Sequence, residues 1–162
     1  MPNRFLSANY RMTRARFSLT IVLVFIGIIG VFYFSWLPDP MLSRYGLLPG
    51  WLAQWTDAQE NDTLRTAVPF VGLGLTTGAY LSAAAKGWRW WAGGWLVLSL
   101  IVFIAEAGQL MLPHRNFDWD DVAWGAVGSF GGLLLASSLR LIRYTAKKLR
   151  RINKTSTKKN SV

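Results

Sequence analysis

Polar side chains crowd the stretch from Glu106 to Asp121, and their types suit acid–base work or the holding of a charged headgroup. Glu106 and Gln109 are three residues apart, so on a helix they share one face. Pro113 ends that helix, because it lacks a donor and restricts the residue before it. His114, Arg115, Asn116, Asp118, Asp120 and Asp121 follow at once. A carboxylate can give or take a proton, and an arginine can grip an anion through paired hydrogen bonds. Glu106 is the most telling of the set because of its setting. It interrupts Trp90–Leu112, a run almost wholly apolar. As a helix that run is about 35 Å long, enough to cross a bilayer, and Glu106 lies roughly 9 Å inside its end. A carboxylate at such depth costs a few kcal/mol unless it is paired, protonated or facing a polar cavity.

Each residue also has a plainer reading. Asp118 or Asp120 suits the cap of the following helix, where a carboxylate accepts from free N–H groups and meets the positive end of the dipole. Arg115 suits neutralisation of the acidic loop. Gln109 suits a bond to a neighbouring helix. A lone histidine such as His114 at a membrane surface is more often bystander than ligand. The chain has no cysteine, which excludes disulfides, thiolate metal sites and cysteine nucleophiles. One histidine is thin material for zinc, and no P-loop or nucleophile elbow is present. No cofactor or metal is therefore expected.

These residues must be positioned by membrane helices. The chain has 162 residues and is 52% hydrophobic with nine tryptophans. Four uncharged or nearly uncharged stretches are long enough to cross a bilayer: 17–37, 66–85, 90–112 and 122–139. The expected fold is all-α, a polytopic bundle of four transmembrane helices over 17–141. A basic N-terminus (1–16) precedes it and a basic tail (142–162) follows. The first stretch is too long for a signal-peptide core and lacks a small-residue cleavage site, so it reads as a retained span. Only Arg44, Arg65 and Arg115 fall in the first and third loops; the other fifteen basic residues flank the opposite ends of the spans. That bias puts both termini in the cytoplasm. The eight acids, Asp39, Asp57, Glu60, Asp62, Glu106, Asp118, Asp120 and Asp121, gather at the outer side. The net charge of +10 is thus a segregation of sign, better explained by topogenesis and anionic lipid than by nucleic acid.

Beyond Tyr144 the tail reads as an extension of the last helix followed by disorder. In the long loop 38–65, Trp51, Leu52 and Trp55 near Pro49-Gly50 fit either a short interfacial helix or a solvated loop with tryptophan anchors. Trp36, Trp88, Trp90, Trp91, Trp119 and Trp124 sit near span ends as an aromatic belt does, and carry no chemistry in this reading. Gly74 and Gly78 form one GxxxG, and Gly128 and Gly132 another, with Gly125 a turn earlier. Packing inside the bundle is favoured over a dimer face.

The string Glu106-x-x-Gln109-x-x-x-Pro113-x-Arg115-x-x-Asp118-x-x-Asp121, then Gly125-Ala126-Val127-Gly128, resembles the VanZ-like family. That family is named after a small membrane protein associated with teicoplanin resistance. The resemblance implies a protein of the bacterial cytoplasmic membrane. Glu106, Gln109, Arg115 and Asp121 match the family's polar positions, and Pro113 and Gly128 its structural ones. Gly125 stands where the family usually has Asn. Upstream, Asn61, Asp62, Pro69 and Gly72 align more loosely. Three functions fit. The first is an outward polar pocket of Glu106, Gln109, Arg115, Asp118 and Asp121 that binds an amphiphile, either a lipoglycopeptide antibiotic or a lipid-linked cell-wall intermediate. The second is an intramembrane enzyme with Glu106 as general acid or base. The third is a structural or accessory subunit. Membrane lipids are the expected partners, and the sequence leaves the oligomeric state open.

Overall fold

Long apolar runs bounded by Pro, Gly and charge make helices, since only an internally bonded backbone is tolerated in hydrocarbon. The computed structural model describes residues 3–113 and 115–159, with side chains described for 18–113, 115–142, 145 and 146. His114 lies outside the described residues. The helices are α1 (Asn3–Ser35), α2 (Gly50–Asp57), α3 (Asp62–Ala83), α4 (Trp88–Gln109) and α5 (Trp119–Lys159). Single 3-10 turns cover Leu42–Tyr45 and Gln59–Asn61, and no strand occurs among the described residues. The all-α expectation is met.

Three helices are long and apolar enough to cross a membrane: Ser18–Ser35 within α1, Trp88–Gln109, and Trp119–Ile142 within α5. The expected second span, α3, is not among them. Its sequence is diluted by Thr66, Pro69, Gly72, Gly74, Thr76, Thr77 and Gly78, small or hydroxyl-bearing residues with a packing purpose. A Cβ on Gly74 would lie 2.2 Å from the Ser129 carbonyl oxygen, and one on Gly78 would lie 2.6 Å from Ala136. From the other side, Gly128 faces the Ala67 carbonyl and Gly132 faces that of Val71. The two GxxxG motifs therefore face each other within one chain, as bundle packing requires. These pairs ascend together, so α3 and α5 run parallel. Gly125 of α5 meets Val102 of α4, while Trp95 donates to the Ala126 carbonyl at 3.0 Å, so α4 and α5 are antiparallel. Gly27 of α1 seats Leu73 of α3. Phe70, Leu73, Leu98 and Val102 form the buried core, with Val24, Ile28 and Val31 of α1 against it.

α5 stays helical through Lys159, past Tyr144, where its sequence suggests a change to disorder. The loop tryptophans do occupy a helix, α2, with Ala53 and Thr56 buried and Trp51 exposed. Asp57, at the end of α2, accepts from the backbone N–H groups of Leu42 (2.7 Å) and Ser43 (3.0 Å). Burial pushes its carboxyl upward, but the bonds from Ser43 and Leu42 outweigh this and hold it below its ordinary 3.8. A lowered folded value means that the clamp is fully present above 3.8 and is lost as pH falls through that lowered value. The Leu42 and Ser43 amide NMR signals are expected to titrate below that pH in the wild type. They should show no such transition in Asp57→Asn; an identical acid transition in the variant would dismiss the clamp.

Candidate functional site

The helix directions bring the end of α1, the start of α3, the end of α4 and the start of α5 to one end of the bundle. Three of these helices, α1, α3 and α4, each place a polar residue there and an apolar one a turn deeper. The pairs are Ser35 over Val31, Thr66 over Phe70, and Glu106 over Val102. Together with Pro40 and Leu42 from the loop they line a cavity of about 130 Å³. Arg65, Pro69, Gln109, Arg115 and Asp121 complete its charged and rim positions. The chamber is amphiphilic in depth, with charge above and hydrocarbon below.

Four of the five residues singled out by sequence, Glu106, Gln109, Arg115 and Asp121, meet at this cavity. Glu106 and Gln109 are buried, as their shared helix face requires. One Glu106 oxygen accepts the Asp118 backbone N–H at 2.9 Å, and the other accepts the Gln109 amide at 3.2 Å. Gln109 also donates to the Ser35 hydroxyl at 2.9 Å. A chain of polar contacts thus runs from α1 through α4 to the start of α5. Asp121 accepts from the Thr66 hydroxyl at 2.9 Å, which adds α3.

Asp118 is the exception. Its carboxylate accepts the Asp120 N–H at 2.8 Å and so caps α5, and it does not line the cavity. Only its backbone reaches Glu106. The cap assignment thus goes to Asp118, not Asp120, because the oxygen of the residue preceding Trp119 is in reach of the second N–H of the helix.

Arg115 is the least satisfied member. One terminal N–H donates to the Ser35 carbonyl at 3.3 Å, while its buried Nε has no partner among the described residues. No carboxylate lies within ion-pair distance of it there: the salt bridges among the described residues join Arg44 to Asp39 and Arg65 to Asp62, the latter at 2.7 Å. Burial, then the like charge of Arg65, lower the Arg115 pKa from its ordinary value. The guanidinium remains charged, since arginine is not deprotonated in proteins, but it lacks a counter-ion at close range.

Nothing in the sequence marks Ser35, Arg65 or Thr66 as site residues. Trp36 is also more than belt: its indole donates to the Ala105 carbonyl at 3.0 Å. A Cβ on Gly108 would strike the same ring, at 2.3 Å from its nitrogen. Gly125 likewise has a packing reason, as a Cβ there would lie 2.5 Å from Val102. Among the described residues no three His, Cys, Asp or Glu side chains gather as a metal site would need.

Fold and site together define an all-helical protein with three helices long and apolar enough to cross a membrane and a small amphiphilic chamber at one end of the bundle. No family model, curated protein or solved structure matches this chain.

Proposed function

We propose that this chain is a VanZ-like protein of the bacterial cytoplasmic membrane that holds the headgroup of an amphiphile in an outward-facing cavity. In this reading all four long helices cross the bilayer and both termini are cytoplasmic. The alternating helix directions and the gathering of basic residues at the end opposite the cavity support that topology. Arg115 carries the functional reading. A guanidinium with a buried, unpartnered Nε at a cavity wall is an unfilled hydrogen-bond donor, costly unless something else occupies it. The apolar floor of Val31, Phe70 and Val102 suits the first carbons of a chain attached to that group.

The cavity's size narrows the occupant. Its volume of about 130 Å³ suits a single headgroup. A whole glycopeptide is far too large, so such a drug would present only a terminal group, whereas a lipid-linked intermediate would present its phosphate end. Catalysis by Glu106 is the weaker reading, since both of its oxygens already accept bonds from the protein. A structural role has a specific observation in its favour, the chain from Ser35 through Gln109 and Glu106 to Asp118. It leaves Arg115 unexplained.

Native mass spectrometry of the detergent-purified protein tests the proposal. The wild type is expected to retain an amphiphile that Arg115→Ala loses, with thermal stability little changed. A charge-assisted bond is worth about 1.5–3 kcal/mol, so affinity should fall at least tenfold. Equal retention by wild type and Arg115→Ala would remove Arg115 from the site.

A further inference from the structure

We infer that the headgroup is a zwitterion carrying a phosphate and a primary ammonium, as in an ethanolamine phospholipid. This rests on the proposed headgroup cavity and specifies what fills it. Among the described residues the charged lining consists of Arg65 and Arg115 against Glu106 and Asp121, formally two of each sign. Most of these groups are already engaged. Arg65 pairs with Asp62, and each Glu106 oxygen has a protein donor. On the basic side the buried Arg115 Nε lacks a partner among the described residues. On the acidic side one Asp121 oxygen takes the Thr66 hydroxyl, and no protein donor reaches the other among the described residues. The unpartnered groups are one cationic donor, buried, and one anionic acceptor, on two side chains that line the same small chamber.

A purely anionic head would satisfy Arg115 but set a third negative charge beside those of Asp121 and Glu106. A purely cationic head would face two arginines. A head bearing both charges satisfies both sides and leaves the lining balanced. The ammonium must carry N–H groups, because Asp121 is an acceptor and a trimethylated nitrogen has nothing to donate. Quaternary ammonium is instead held by aromatic cages, and among the described residues the aromatic side chains in this lining are Phe34 and Phe70. The lipid source follows from the rim. Pro40 and Pro69 line the cavity and are also exposed, so its mouth lies between the loop and α3. Val68, next to that rim, is 53% exposed, a surface suited to acyl chains.

The test uses the full chain in detergent, titrated by native mass spectrometry with four probes. These are dioleoyl phosphatidylethanolamine, phosphatidylglycerol and phosphatidylcholine, and water-soluble phosphoethanolamine. The ethanolamine lipid is expected to bind at least tenfold more tightly than the other three. Asp121→Asn, which keeps an acceptor for Thr66, should bring the ethanolamine and glycerol lipids to within about twofold of each other. Arg115→Ala should weaken both. Equal or tighter wild-type binding of the glycerol lipid overturns the zwitterion while leaving an anionic headgroup site intact. Equal binding of the choline lipid overturns the primary ammonium. Free phosphoethanolamine binding as tightly as the lipid overturns the lipid source. No binding of any probe overturns both the zwitterion and the headgroup cavity. The wild-type comparison stands even if a variant fails to fold.

Discussion

Gly132→Ala is expected to destabilise the protein by about 3 kcal/mol, at the upper end of the usual cost of overpacking. The added Cβ would lie 2.2 Å from the Val71 carbonyl oxygen and 2.6 Å from the Leu75 nitrogen. Both obstacles are backbone, so no rotamer change relieves them, and α3 must move away from α5. That movement would also loosen Gly128 against Ala67 and Gly74 against Ser129 in the same seam. The neighbouring Gly131 is the control, because nothing lies within 4 Å of a Cβ placed there. Gly131→Ala should be neutral, or stabilising by roughly 0.5 kcal/mol through helix propensity. Unfolding in detergent, followed by circular dichroism, compares the two. Equal stability would mean that the helices are not in backbone contact.

Removing the Glu106 carboxylate is the second large effect. Glu106→Leu leaves the Asp118 N–H and one Gln109 N–H without acceptors in a buried site. Each unsatisfied donor costs about 1–3 kcal/mol, so a total near 3 kcal/mol is expected. Glu106→Gln should cost less, about 1 kcal/mol. Its amide oxygen can still serve Asp118, but its NH2 would oppose that of Gln109. Thermal unfolding of the three proteins should therefore rank wild type, Gln, Leu. If both variants unfold with the wild type, the carboxylate does not tie α4 to α5, and its burial has a purely ligand-directed reason.

Local periodicity made Glu106 and Gln109 legible as one helix face, and the GxxxG spacings made Gly74, Gly78, Gly128 and Gly132 legible as close-packing positions. In both cases the information lies within one helix. What stayed hidden depends on which helix faces which. Ser35 and Thr66 are ordinary hydroxyls until α1 and α3 are laid beside α4 and α5, when they become partners of Gln109 and Asp121. Arg65 reads as a loop charge, yet it sits one turn before Pro69 on the cavity wall. Trp36 looks like an interfacial anchor because its bond to Ala105 joins helices far apart in sequence. Asp118 reads from sequence as either a pocket residue or a cap, because Asp118, Asp120 and Asp121 are each suited to capping, and only geometry chooses among them. α3 shows the converse. The glycines and threonines that make it a poor span by composition are what let it meet α5 backbone to backbone.

The seam between α3 and α5 also dictates an order of assembly. Synthesis delivers α3 before α4 and α5, so its glycine-lined face has no partner when it leaves the ribosome. In the proposed bilayer setting helix association relies on such close packing more than on hydrophobic force, so this face of α3 stays unpaired until α5 arrives, although α1 already packs against Phe70 and Leu73. Thr66 then finds Asp121, and Glu106 finds the Asp118 N–H, at the start of that same helix. The chamber therefore closes only in the final docking step, and a chain arrested before α5 has neither the seam nor a finished site.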